Sequence, residues 1–151
     1  GGWGYLNHEI YKPAGWALTE MTKAFCWEGN FLLNVGPDSH GRLPEVCYSR
    51  LKEVGGWFKQ YAYTFNNSVR GPWPEKSSMP VAIVEENKWY VYMPYDQDDI
   101  LIIDDPREPI KVTRLDTKQS ISWARDEQGA IVIDIDPTHR SLLVDVLEIN
   151  W

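Results

Sequence analysis

Phe31-Leu32-Leu33-Asn34-Val35 is an almost unbroken apolar run between two stretches of helical period, and it narrows the folds open to this chain more than any other feature. A strand that is apolar on both faces belongs inside a parallel sheet covered by helices. Gly36-Pro37 ends the run. Upstream, Leu18, Met21 and Phe25 recur at helical spacing between Pro13 and Trp27, with Ala14, Ala17 and Ala24 adding propensity. Gly29-Asn30 supplies the stop, because both residues tolerate the left-handed conformation of a C-terminal cap. Downstream, Pro44 suits a first helical position and Glu45 complements the N-terminal dipole. Cys47, Leu51, Val54, Phe58, Ala62 and Phe65 then follow at intervals of three and four, the pattern of a buried helix face. Gly55-Gly56 within this stretch predicts close backbone packing, since each glycine costs about 1 kcal/mol against alanine in a helix. Helix, buried strand, helix is the grammar of a (β/α) barrel or a doubly wound sheet. One strand makes no sheet, so the remaining strands are expected upstream.

The period changes near Asn66. Residues 68–77, containing Arg70-Gly71-Pro72-Trp73-Pro74, read as a linker. Beyond it lie strand candidates at Val81–Glu85, Trp89–Met93, Ile100–Ile103, Ile110–Leu115, Ile121–Trp123, Ala130–Ile135 and Leu142–Ile149. Turn residues separate them at Glu86-Asn87, Asp104-Asp105-Pro106, Asp126–Gly129 and Asp136-Pro137. Short strands at this spacing predict an antiparallel sandwich over 78–151.

Of the 151 residues, 43% are hydrophobic and 25% charged, the composition of a folded chain. No run approaches the ~18 to 20 apolar residues that span a bilayer, and no signal peptide opens the sequence. Because it starts Gly1-Gly2 without methionine, an upstream segment is expected to be missing. A net charge of −7 with no basic stripe argues against a nucleic-acid partner. Eight tryptophans and eight tyrosines could stack on sugar rings or simply fill a core. Cys26 and Cys47 read as buried free thiols, and His8, His40 and His139 as scattered surface or turn residues, with no metal-ligand spacing among them.

Gly29-Asn30-Phe31-Leu32-Leu33-Asn34-Val35-Gly36-Pro37, followed by His40-Gly41-Arg42-Leu43-Pro44, resembles the signature that closes the barrel of α-L-fucosidases in glycoside hydrolase family 29. Arg50-Leu51-Lys52-Glu53-Val54-Gly55-Gly56-Trp57 is similar to the helix that follows in that family. Trp3-Gly4-Tyr5 resembles the end of barrel strand seven, Tyr11-Lys12 falls where the family has a similar pair, and Ile121-Ser122-Trp123 with Asp126 and Gly129 through Ile133 resembles its sandwich motif. Departures are Pro13 in place of a serine cap, His40 in place of aspartate, and Leu6-Asn7 after the strand-seven motif. The resemblance implies an α/β plus all-β fold. Residues 1–67 would be the last strand–helix units of a (β/α)8 TIM barrel, 68–77 a linker, and 78–151 a C-terminal antiparallel β-sandwich. It also implies that Trp3 lines the fucose subsite, against the C5 methyl, at the C-terminal face of the strands.

Retaining glycosidases need two carboxylates ~5 to 5.5 Å apart. The resemblance places the family's aspartate nucleophile and glutamate acid/base before strand seven, so no catalytic residue is expected in this chain. Glu9 and Asp38 are local candidates, but both read better as solvated or turn-stabilising carboxylates. Glu20, Glu28, Glu45 and Glu53 read as helix surface. Asp96-Gln97-Asp98-Asp99 with Asp104-Asp105 lacks the spacing of a calcium loop and reads as a solvated hairpin; no metal or cofactor is expected. Asn66-Asn67-Ser68 is a glycosylation sequon that matters only in a eukaryotic secretory setting.

The implied parent releases terminal α-L-fucose from glycans by a retaining double displacement, with this piece inactive alone. The implied partners are a fucosylated glycan and the upstream part of the same enzyme, with self-association possible through the unpaired strand; no nucleic acid or membrane is involved. A periplasmic or extracellular location follows, lysosomal in a eukaryote. The rival readings are a carbohydrate-binding module stacking sugars on Trp73, Trp89, Tyr90 or Tyr92, and a scaffold sandwich that props up the barrel.

Overall fold

A computed structural model of the chain describes residues 4–151. Helix α1 spans Ala14–Cys26 and α2 spans Glu45–Tyr61, the latter continued by a 3-10 turn at Ala62–Phe65. The strands are β1 (Val69–Arg70), β2 (Val81–Glu85), β3 (Lys88–Met93), β4 (Ile100–Ile103), β5 (Lys111–Arg114), β6 (Ser120–Ile121), β7 (Ala124–Arg125), β8 (Ile131–Asp134) and β9 (Asp145–Asn150). They form two sheets, one ordered β1-β2-β3-β9-β5-β6 and the other β4-β8-β7, with every pairing antiparallel.

One apolar layer lies between the sheets, where Val91, Met93, Leu101, Ile103, Ile131, Ile133, Leu147 and Ile149 are fully buried. Each such side chain contributes about 1.5 to 3 kcal/mol on burial. Strand β3 shows how a second layer arises. Trp89, Val91 and Met93 face the partner sheet, while Tyr90 and Tyr92, on the opposite pleat, pack against Leu18, Cys26, Trp57 and Tyr61 of the helices. A strand apolar on both faces needs cover on both. The molecule is therefore three layers: helices, the six-stranded sheet and the three-stranded sheet.

Four expectations are corrected. Phe31–Val35 belongs to neither sheet, since strand pairing requires neighbours that the described residues do not supply. Its side chains still alternate: Phe31, Leu33 and Val35 are half-buried, Leu32 and Asn34 exposed. Residues 68–77 are tied into the sandwich, for β1 pairs with β2, Ser77 bridges Ile103, and Trp73 packs against the inter-sheet core. The strand expected at Ile121–Trp123 is two short strands in different sheets, because the chain crosses over there. Trp123 anchors the crossing by donating its indole N–H to the Pro109 carbonyl at 3.0 Å. Finally, Gly55 and Gly56 face open space, with none of the other described residues' atoms within 4 Å of where a Cβ would stand, and the helix instead buries Cys47, Trp57 and Tyr61.

Candidate functional site

One hollow lies in the N-terminal half, away from the inter-sheet core. It is a cleft of about 450 Å3 between the approach to α1 (Glu9 to Pro13), the first turns of α1, the run Leu32–Gly36, and the face of α2 carrying Cys47, Arg50, Leu51 and Val54. Trp16 forms part of its wall; its indole meets Phe31 edge to face, with centroids 6.5 Å apart, and Lys12 Nζ sits 5.0 Å from the ring centroid. Removal from water, reinforced by Cys47 and Glu9, pushes the Tyr11 phenol above its ordinary value. Arg50 pairs with Glu53 at 3.0 Å, yet its Nε is buried without a hydrogen-bond partner among the described residues.

Gly36 fixes the mouth of the cleft. A Cβ there would fall 2.7 Å from the Tyr5 nitrogen and 2.8 Å from the Gly4 carbonyl carbon, so only glycine admits this approach. The end of the motif Trp3-Gly4-Tyr5 is thus held beside the end of the run Phe31–Val35. Trp3, the sequence-predicted sugar wall, lies outside the described residues.

Asp38 is a turn residue. Its carboxylate accepts the amides of His40 at 2.8 Å and Arg42 at 2.9 Å and pairs with the Arg42 guanidinium at 3.2 Å. The Arg42 amide, foremost among these, holds its pKa below the usual carboxylate range. Glu9 lines the cleft and is the one carboxylate among its described lining residues. The arrangement can bind and enclose, but it holds no pair of facing carboxylates among the described residues. His40 and His8 are exposed, His139 closes a 3-10 turn, and Cys26 and Cys47 are buried and free; burial pushes the Cys26 thiol up. Among the described residues no group of His, Cys, Asp and Glu is arranged to hold a metal ion, and no helix is long and apolar enough to cross a membrane.

Exposed apolar side chains border the cleft, with Ile10 94% and Leu32 91% exposed. The apolar run Phe31–Val35 is legible from the residues, but the cleft beside it is not, and its walls include Tyr11, Lys12 and Trp16. The candidate stacking residues Trp89, Tyr90 and Tyr92 are buried in the two cores, and Trp73 is half-buried against one of them. None of the first three offers a free face to a sugar.

A family model described as Alpha-L-fucosidase matches residues 1–63. The Alpha-L-fucosidase of Dictyostelium discoideum is 29% identical over 159 aligned positions, covering 95% of this chain and 32% of that protein. The Tissue alpha-L-fucosidase of Rattus norvegicus is 22% identical, covering 88% of this chain and 30% of its own length. Among solved structures, Thermotoga maritima alpha-fucosidase in complex with a mechanism-based inhibitor superposes with a TM-score of 0.70 at 20% identity, over 99% of this chain and 37% of that one. Alpha-L-fucosidase isoenzyme 1 from Paenibacillus thiaminolyticus gives 0.74 at 19% identity, over 98% and 37%. The chain therefore spans about a third of the length of these relatives. Fold and matches together fit a β-rich C-terminal portion like that of these relatives. The α-L-fucosidase family model thus covers residues 1–63, and over most of its length this chain is similar to the C-terminal part of α-L-fucosidases.

Proposed function

We propose that the chain completes an α-L-fucosidase that releases terminal α-L-fucose from glycans with retention of configuration. Residues 1–67 supply the last strand–helix units of its (β/α)8 barrel, and residues 78–151 the sandwich that backs them. The observation that carries this reading is the approach of Gly36 to Tyr5, which sets the ends of two barrel-signature segments side by side. Neighbouring strand ends at one mouth are what a barrel's catalytic face requires. In this reading Trp3 forms the dry wall for the C5 methyl of fucose, and the cleft with Ile10 and Leu32 receives the upstream strands. Those strands bring the nucleophile and the acid/base, so the isolated chain does not turn over substrate. The same open face gives the isolated chain a route to self-association. The parent works in the periplasm, outside the cell or, in a eukaryote, in the lysosome.

The test is stereochemical. The polypeptide extended upstream at its source locus is incubated with an aryl α-L-fucoside, and proton NMR follows the first sugar released. α-L-Fucose appearing before its β anomer supports the double displacement; β-L-fucose appearing first contradicts it.

A further inference from the structure

Two turns of the sandwich, residues 93–99 and 140–145, are stitched together by one side chain. The Arg140 side chain is 8% exposed and pairs with Asp145 through Nε at 2.7 Å and with Asp99 through Nη1 at 2.8 Å. Its Nη2 donates to the carbonyl oxygens of Pro94 and, at 3.4 Å, Met93. Asp145, 3% exposed, also accepts Nη2 of Arg114 at 3.1 Å and the amide of Ser141 at 3.3 Å. Ser141 Oγ in turn accepts the Leu143 amide at 3.2 Å. A buried guanidinium with this many acceptors fixes the separation of the turns it joins, because each bond sacrificed leaves a buried charged or polar group unpaired.

The notch between these turns is occupied by α1. A Cβ on Gly15 would lie 2.3 Å from the Leu142 carbonyl oxygen and 2.8 Å from the Tyr95 ring, one contact from each turn. Gly15 is the second residue of α1, and Tyr11, Lys12 and Pro13 just before the helix form the rim of the cleft. The same 140–145 turn also receives α2, since Trp57 Nε1 donates to the Val144 carbonyl at 2.7 Å. The socket, the first turn of α1 and the rim of the cleft form a continuous chain of contacts.

We propose that Arg140 is a positioning residue: it holds the two sandwich turns at the spacing that seats Gly15, and so sets the Tyr11–Pro13 rim. Its bearing on catalysis rests on the fucosidase reading, but the socket itself is tested without turnover. Hydrogen exchange on the 151-residue chain, read by mass spectrometry, compares Arg140→Met, Asp99→Asn and Gly15→Ala with the unaltered chain. The first two loosen the socket, and the third obstructs it from the helix side. All three should speed exchange across Ala14–Cys26 by about tenfold or more while Lys88–Met93 and Ile131–Asp134 exchange as in the unaltered chain. Arg140→Lys, which keeps the charge but lacks the fork, should fall between. A general structural role would move helix and sheets together, and that result overturns the proposal, as does unchanged exchange in α1. Should Arg140→Met fail to fold, Asp99→Asn and Gly15→Ala decide by the same two criteria.

Discussion

The indole N–H of Trp57 in α2 donates to the backbone carbonyl of Val144 across 2.7 Å, a bond between residues 87 positions apart and buried at both ends. It fastens the helical layer to the sandwich just where β9 begins. Tyr61, one turn on, packs against the Trp57 ring at a 53° tilt, with centroids 5.1 Å apart, and continues the seam. The two halves, so different in period, thus share a core.

Replacing Trp57 by phenylalanine keeps an aromatic ring but leaves the Val144 carbonyl unpaired in a buried place. A loss of about 1 to 3 kcal/mol is expected, read as a lower urea midpoint. An unchanged midpoint would show that the bond holds nothing together.

Tyr92 is fully buried and donates to Thr64 Oγ1 at 2.8 Å while stacking on Phe65 at 4.6 Å. Tyr92→Phe should cost about 1 kcal/mol, because the Thr64 hydroxyl keeps its own bond to the Tyr61 carbonyl. Tyr92→Ala should cost about 3 to 5 kcal/mol. Ile102→Ala, at a side chain 44% exposed on the outer sheet, should stay within about 0.5 kcal/mol. Equal effects at the two positions would contradict the layer assignment.

Gly55 and Gly56 sit in α2 with open space around them and no left-handed backbone. Alanine at either position should stabilise the chain by about 0.5 to 1 kcal/mol, chiefly by restricting the unfolded state. Destabilisation in thermal melts would mean that a neighbour occupies that space.

Stability should fall on the alkaline side. Burial first, then the Asp116 and Asp145 carboxylates, pushes the Tyr61 phenol up to about 12. Burial followed by Glu148 also raises Tyr90. An unfolded tyrosine ionises near ~10, so above that pH the unfolded chain releases a proton that the folded chain retains. The tyrosine contribution is whole below about pH 10 and is lost as pH rises through the folded value of about 12. Denaturant melts between these limits should show the decline, weakened in Tyr61→Phe; a flat profile would remove the assignment.

Much of this architecture is legible in the residues. Val81–Glu85 and Ile100–Ile103 form strands at the limits their apolar content predicts, and α1 falls within Pro13 to Trp27. What hid was contact between distant segments. The run Trp89-Tyr90-Val91-Tyr92-Met93 is apolar without alternation, which already signals a strand covered on both faces. That the second cover is α1 and α2 depends on Gly15, Trp57 and the 140–145 turn, whose pairing no local pattern encodes. The short β1 escaped because Val69-Arg70 has no period, and its strand character comes from Ile83 and Ala82 opposite. At the site, the ends of the two signature segments could be named from motifs, whereas their approach at Gly36 is a fact of the fold.

The central claim is that this chain is the C-terminal part of an α-L-fucosidase whose catalytic carboxylates come from upstream. Release of the aryl group from an aryl α-L-fucoside, measured side by side for the 151-residue chain and for the polypeptide extended upstream at its source locus, tests it most directly. Turnover by the longer polypeptide and none by the chain alone is the predicted result; turnover by the chain alone, or by neither, would contradict it.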